Sequence, residues 1–143
     1  MSGTFRQFDH TGDIGIEATA PDEAALYACC AAALFDILVG SGAIVERETR
    51  RLAISAPDRE HLLVRWLSEI LYLHAAEGWL FRDFEIRTAV EAGEFTLEAE
   101  AKGEIFDPAR HLLRTEIKAV THHQTVVARE ASGAWRARVV LDI

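Results

Sequence analysis

The period of the hydrophobic pattern changes several times along the chain, and each change marks an element. Phe5 to Asp9 and Ile14 to Ala20 alternate at period two, which predicts two short strands flanking a polar cluster. Leu26, Ala33, Leu34, Ile37 and Leu38 then fall on one helical stripe, bordered by Tyr27 and Cys30. Pro21-Asp22-Glu23 opens that helix with acids where the dipole favours them, and Gly40 stops it. Beyond Gly40-Ser41-Gly42, the charged run Val45 to Arg50 reads as an exposed approach to a strand over Arg51 to Ala56, with Leu52 and Ile54 inward. Asp58 is placed as an N-cap. From it a broad apolar face of Leu62, Leu63, Trp66, Leu67, Ile70, Leu71 and Leu73 runs to Glu77, with Gly78 as the C-terminal glycine. A face this wide predicts a helix pressed onto a sheet and buried on more than one side.

After Gly78 the period returns to two. Trp79 to Thr88 is a strand, Glu91-Ala92-Gly93-Glu94 a turn, and Phe95, Leu97, Ala99 and Ala101 alternate with polar neighbours. Gly103 to Arg114 is irregular around Asp107-Pro108. Three more strands follow over Glu116 to Val120, Thr125 to Glu130 and Ala134 to Leu141, the last two joined at Ser132-Gly133. Two helices are too few to cross over so many strands, which excludes a doubly wound sheet. The expected fold is α+β: a mostly antiparallel or mixed sheet with two helices packed on one face, in a single domain over residues 1–143.

Charge narrows the function. The 23 acids against 15 basic residues leave a net charge of -8. That disfavours direct, specific nucleic-acid binding, which needs a basic surface, and suits a basic protein partner or a cation. The apolar run from Ala24 to Val39 is interrupted by Asp36 and too short to span a bilayer, and residues 1–10 carry no apolar signal-peptide core. Cys29 and Cys30 are adjacent, so they are badly placed to bridge each other and offer no zinc framework. A cytoplasmic protein without membrane attachment is expected.

The candidate chemistry lies at the two ends. Phe8-Asp9-His10-Thr11-Gly12-Asp13-Ile14-Gly15-Ile16 packs two acids, a histidine and two glycines into a strand-turn-strand segment. A hairpin in which Asp13 bonds its own backbone accounts for much of it. In the last strand, period two sets Asp142 on the side of Arg136 and Arg138, opposite Trp135, Val139 and Leu141. Asp142 and the terminal carboxylate of Ile143 supply four oxygens. If Asp13 lies beside them the set is all carboxylate, which suits calcium, magnesium or manganese rather than zinc or copper. Against this stands the ordinary fate of a chain end, solvated and frayed. His10, three residues from Asp13, is the best placed of six histidines; His61, His74, His111, His122 and His123 carry no motif. Lys118, one of two lysines, suits a phosphate or a partner's carboxylate, and equally an exposed strand position. No nucleophile elbow, phosphate loop, dinucleotide fingerprint or cysteine-histidine pair is present.

Taken together, five segments in order resemble the archease family: Phe8 to Gly15; Leu62 to Leu73; Gly103 to His111; Lys118-Ala119-Val120-Thr121-His122-His123; and Val139 to Ile143. The resemblance implies a non-catalytic protein cofactor of the RtcB-type RNA ligase that seals tRNA exons, promoting ligase guanylylation and multiple turnover and broadening its nucleotide use. It also implies a divalent cation, calcium first with magnesium or manganese as alternatives, on Asp13, Asp142 and the terminal carboxylate of Ile143. Asp9, His10, Lys118 and His123 become supporting or partner-binding residues. Two positions depart from the family pattern: Gly12 where alanine is usual, which loosens the turn, and His122 where tyrosine is common. Two other readings remain open, a small metal-dependent phosphoesterase using Asp13 and Asp142, for which only His10 offers a base, and a general protein chaperone or modulator.

Overall fold

In the computed structural model the described residues are 3–10 and 12–143, the side chains of His10 and Ser41 excepted. Eight strands, β1 (Thr4–His10), β2 (Asp13–Ala20), β3 (Glu48–Ala56), β4 (Trp79–Glu91), β5 (Glu94–Ile105), β6 (Ala119–Val120), β7 (Val126–Arg129) and β8 (Trp135–Asp142), accompany two helices, α1 (Glu23–Leu38) and α2 (Arg59–Glu77). The α+β class and antiparallel pairing hold throughout the described residues. The strands divide into two sheets. One has the order β1-β2-β8-β6, with β7 also on β8; the other has the order β3-β5-β4. Alternation tells which face of a strand is buried and is silent on which strand it pairs with.

Helix boundaries follow local chemistry. The Asp22 side chain accepts the Ala25 N–H at 2.8 Å and Asp58 accepts the His61 N–H at 2.8 Å, each satisfying a donor the helix itself leaves open. Gly78 closes α2 at φ 82, the left-handed conformation favouring glycine. Helix α1 packs on β2 of the first sheet and β4 of the second, while α2 packs on β3, β4 and β5 and reaches β6 and β7. The helices therefore share the core between both sheets. Tyr27, Phe35, Trp66 and Phe81 are fully buried there, with Phe35 edge-on to Phe81 at 5.6 Å and Trp66 edge-on to Phe84 at 5.8 Å. The Trp66 indole N–H donates to the Tyr27 carbonyl at 3.1 Å, joining the helices through a buried hydrogen bond.

Several strand boundaries differ from expectation, β4 among them, which runs on to Glu91. Strand β3 begins at Glu48 because the charged approach pairs with Gly103 of β5, and β5 continues to Ile105. The strand expected over Glu116 to Val120 shrinks to two residues. Upstream of Lys118 the chain leaves the sheet, and the Arg114 N–H donates to the Leu38 carbonyl at the end of α1.

Candidate functional site

The strand order of the first sheet brings the two ends of the chain together. In β1 and β2, His10 pairs with Asp13; in β2 and β8, pairing runs to Ile14 opposite Leu141; in β6 and β8, Ala119 pairs with Asp142. One further step in the same register sets Asp13 opposite Asp142. Directly opposed residues of an antiparallel pair point to the same face, with Cβ atoms about 4.5–5.5 Å apart. His10, Asp13, Asp142 and Ala119 thus form one row across four strands. What the His10 imidazole touches lies outside the described residues, as does Thr11 in the turn. Gly12 in that turn takes φ 85, a conformation that glycine adopts without strain.

The chain terminus is held rather than frayed. Ile143 is partly buried and packs on the core, and the Lys118 N–H donates to the Asp142 carbonyl at 2.7 Å. Asp13, Asp142 and Ile143 are each half-buried, while Asp9, Lys118 and His123 are exposed around this end. Among the described residues no three or more His, Cys, Asp or Glu side chains form a group that could hold a metal ion. The carboxylate set consists of two side chains plus the chain terminus, so a cation there depends on the terminal carboxylate. Its donors are hard oxygens, which fit a calcium-type ion.

Directly below this row, Phe8 opposes Gly15. A Cβ on Gly15 would stand 2.0 Å from the Phe8 ring, so glycine is what lets the ring lie on the strand. Arg138 covers the ring at 4.1 Å from its centroid and binds Glu17 at 3.1 Å and the Gln124 side chain at 3.3 Å. Val140, facing outward beneath this assembly, is fully buried.

A second polar assembly escaped the sequence reading. Glu104 is 2 % exposed, although alternation puts it on the solvent face with Glu98 and Glu100. Its Oε1 pairs with Arg110 and, at 3.3 Å, with Arg47; its Oε2 accepts the Val45 N–H at 2.7 Å and lies 3.0 Å from His111 Nε2. The Asp107 N–H donates to His111 Nδ1 at 2.9 Å, so the imidazole proton sits on Nε2 and points at Glu104. Burial by itself would raise the Glu104 pKa, but hydrogen bonds from Arg110, Val45 and His111 prevail and hold it at about 2. The assembly ties the irregular segment after β5 to the sheet. Its one legible signal is an acid set among Arg110 and His111 within seven residues.

The Archease protein family (MTH1598/TM1083) model matches residues 5–143. The chain belongs to the archease family. It is 34% identical over 139 residues to protein archease of Pyrococcus abyssi, covering 97% of this chain and 98% of that one. To protein archease of Methanosarcina barkeri it is 37% identical over 147 residues, with both chains fully covered. The solution structure of Methanobacterium thermoautotrophicum protein 1598 superposes with a TM-score of 0.86 at 34% identity, covering 97% of this chain and 98% of that one. No helix among the described residues is long and apolar enough to cross a membrane.

Proposed function

We propose that this archease is a non-catalytic protein cofactor of an RtcB-type RNA ligase, acting in the cytoplasm to promote ligase guanylylation and multiple turnover and to broaden nucleotide use. The observation that carries the reading is the row that sets Asp13 opposite Asp142 beside a fixed chain terminus, in a chain that matches the family over nearly its whole length. Asp13, Asp142 and the terminal carboxylate of Ile143 hold a divalent cation, calcium before magnesium or manganese, because all donors are hard oxygens. The bound ion offsets the mutual repulsion of these carboxylates and fixes the shape of an acidic end. Asp9, His10, Lys118 and His123 surround that end and meet the ligase, while the net charge of -8 keeps the protein itself from gripping RNA.

The test measures label transfer from GTP to the cognate ligase, and ligated product per ligase molecule, with and without this protein. Faster guanylylation and more than one turnover are expected, both reduced in Asp13→Asn and Asp142→Asn. Identical rates with and without the protein would reject the reading.

A further inference from the structure

We propose that His61 and His122 form a second cation site, for a borderline transition metal of the zinc class, distinct from the carboxylate end. His61 stands in the first turn of α2 and His122 in the turn after β6. Their ring centroids are 4.9 Å apart with the planes inclined at 44°. With metal–nitrogen bonds of about 2.0–2.1 Å, two imidazoles sharing one tetrahedral ion put their centroids about 5 Å apart. The observed separation matches that of two rings on one ion.

The tautomer of His61 is also prepared. Its Nδ1 lies 2.9 and 2.8 Å from the two carboxylate oxygens of Asp58. The proton accordingly resides on Nδ1, which leaves the Nε2 lone pair for a metal. A carboxylate behind a ligating histidine is the usual device for orienting the ring and raising its basicity. Asp58 is itself fixed, because the same side chain caps α2 through the His61 N–H at 2.8 Å.

Both histidines are exposed, so an ion enters from solvent and water completes its coordination. Two imidazoles with open positions suit zinc, copper or nickel, whereas the carboxylate end suits calcium. Occupancy would clamp the Thr121–Gln124 turn to the start of α2. That turn is already joined to β8, since Thr121 donates through its N–H at 3.0 Å and its hydroxyl at 2.9 Å to the Val140 carbonyl.

The experiment titrates tag-free protein with Zn2+ by calorimetry at neutral pH and records electron paramagnetic resonance with one equivalent of Cu2+. Phenylalanine at either position keeps a ring and loses the lone pair, and Asp58→Asn keeps a capping oxygen. Wild type should bind one Zn2+. His61→Phe and His122→Phe should each weaken binding at least tenfold, Asp58→Asn by about tenfold, and Asp142→Asn should leave it unchanged. The Cu2+ spectrum should show two coupled nitrogens in wild type and one in each phenylalanine variant. Wild type that takes up no Zn2+, phenylalanine variants that bind as wild type does, loss of binding in Asp142→Asn alone, or a Cu2+ spectrum without nitrogen coupling would each overturn the proposal. A wild-type spectrum without nitrogen coupling overturns the proposal even where a variant fails to fold.

Discussion

Replacing Glu104 by Gln keeps the shape of the side chain and removes the charge to which Arg110, Arg47, Val45 and His111 are all directed. The shift of its pKa from 4.5 to about 2 corresponds to about 3 kcal/mol of stabilisation. Arg110 and Arg47 remain 39% and 62% exposed, so solvent screening reduces the expected loss to about 2 kcal/mol. Because the folded pKa lies below the unfolded one, this contribution is complete above about pH 4.5 and disappears as the pH falls toward 2. Urea unfolding of wild type and Glu104→Gln, followed by circular dichroism, measures it. The variant should be less stable by about 2 kcal/mol at pH 7 with an unchanged m-value, and the gap should narrow by roughly half at pH 3. A gap below about 0.5 kcal/mol at pH 7, within the ordinary scatter of surface substitutions, would refute the reasoning. So would a gap that does not change with pH.

Other outcomes follow from the same structure. Gly15→Ala forces Phe8 off the strand and should cost about 1–3 kcal/mol in chemical denaturation, whereas Phe8→Ala,Gly15→Ala together should cost less than the sum of the two single changes. Ala92 and Gly93 form a two-residue turn with φ of 52 and 80, a geometry that asparagine favours over alanine at the first position. Ala92→Asn should therefore raise the melting temperature slightly, and a fall would contradict the turn assignment. Cys29 and Cys30 are buried, and burial pushes the Cys29 thiol up to about 11 and the Cys30 thiol higher still. Neither should react with Ellman's reagent at pH 7.5 within minutes while both react on denaturation; rapid labelling of the native protein would show the region to be open.

Much of this architecture is legible in the chain because it rests on short-range physics. Asp58 and Gly78 bound α2 where capping chemistry puts them, and the wide apolar face from Leu62 to Leu73 does meet strands of both sheets. Pairing is a long-range matter, so the division into two sheets was not legible, nor was the shortening of the strand expected from Glu116 to Ala119–Val120, upstream of which Arg114 bonds the end of α1. At the candidate site, chain position alone left Asp13 and Asp142 only conditionally together; the register of β2 on β8 pairs Ile14 with Leu141, so that one further step sets the two acids opposite each other. Glu104 was hidden for the opposite reason. Its position follows the alternation of β5 faithfully, and it is buried by the segment that folds back over it, carrying Arg110 and His111.

The proposed cation site at Asp13, Asp142 and Ile143 is tested most directly by thermal unfolding in calcium. Ligand at 100 times its dissociation constant stabilises the folded state by about 2.7 kcal/mol, a readily measured rise in melting temperature. Wild type should show it, and both Asp142→Ala and a chain extended by several residues beyond Ile143 should lose it, since one lacks a side-chain ligand and the other displaces the terminal carboxylate. An equal calcium-dependent rise in all three proteins would contradict the site.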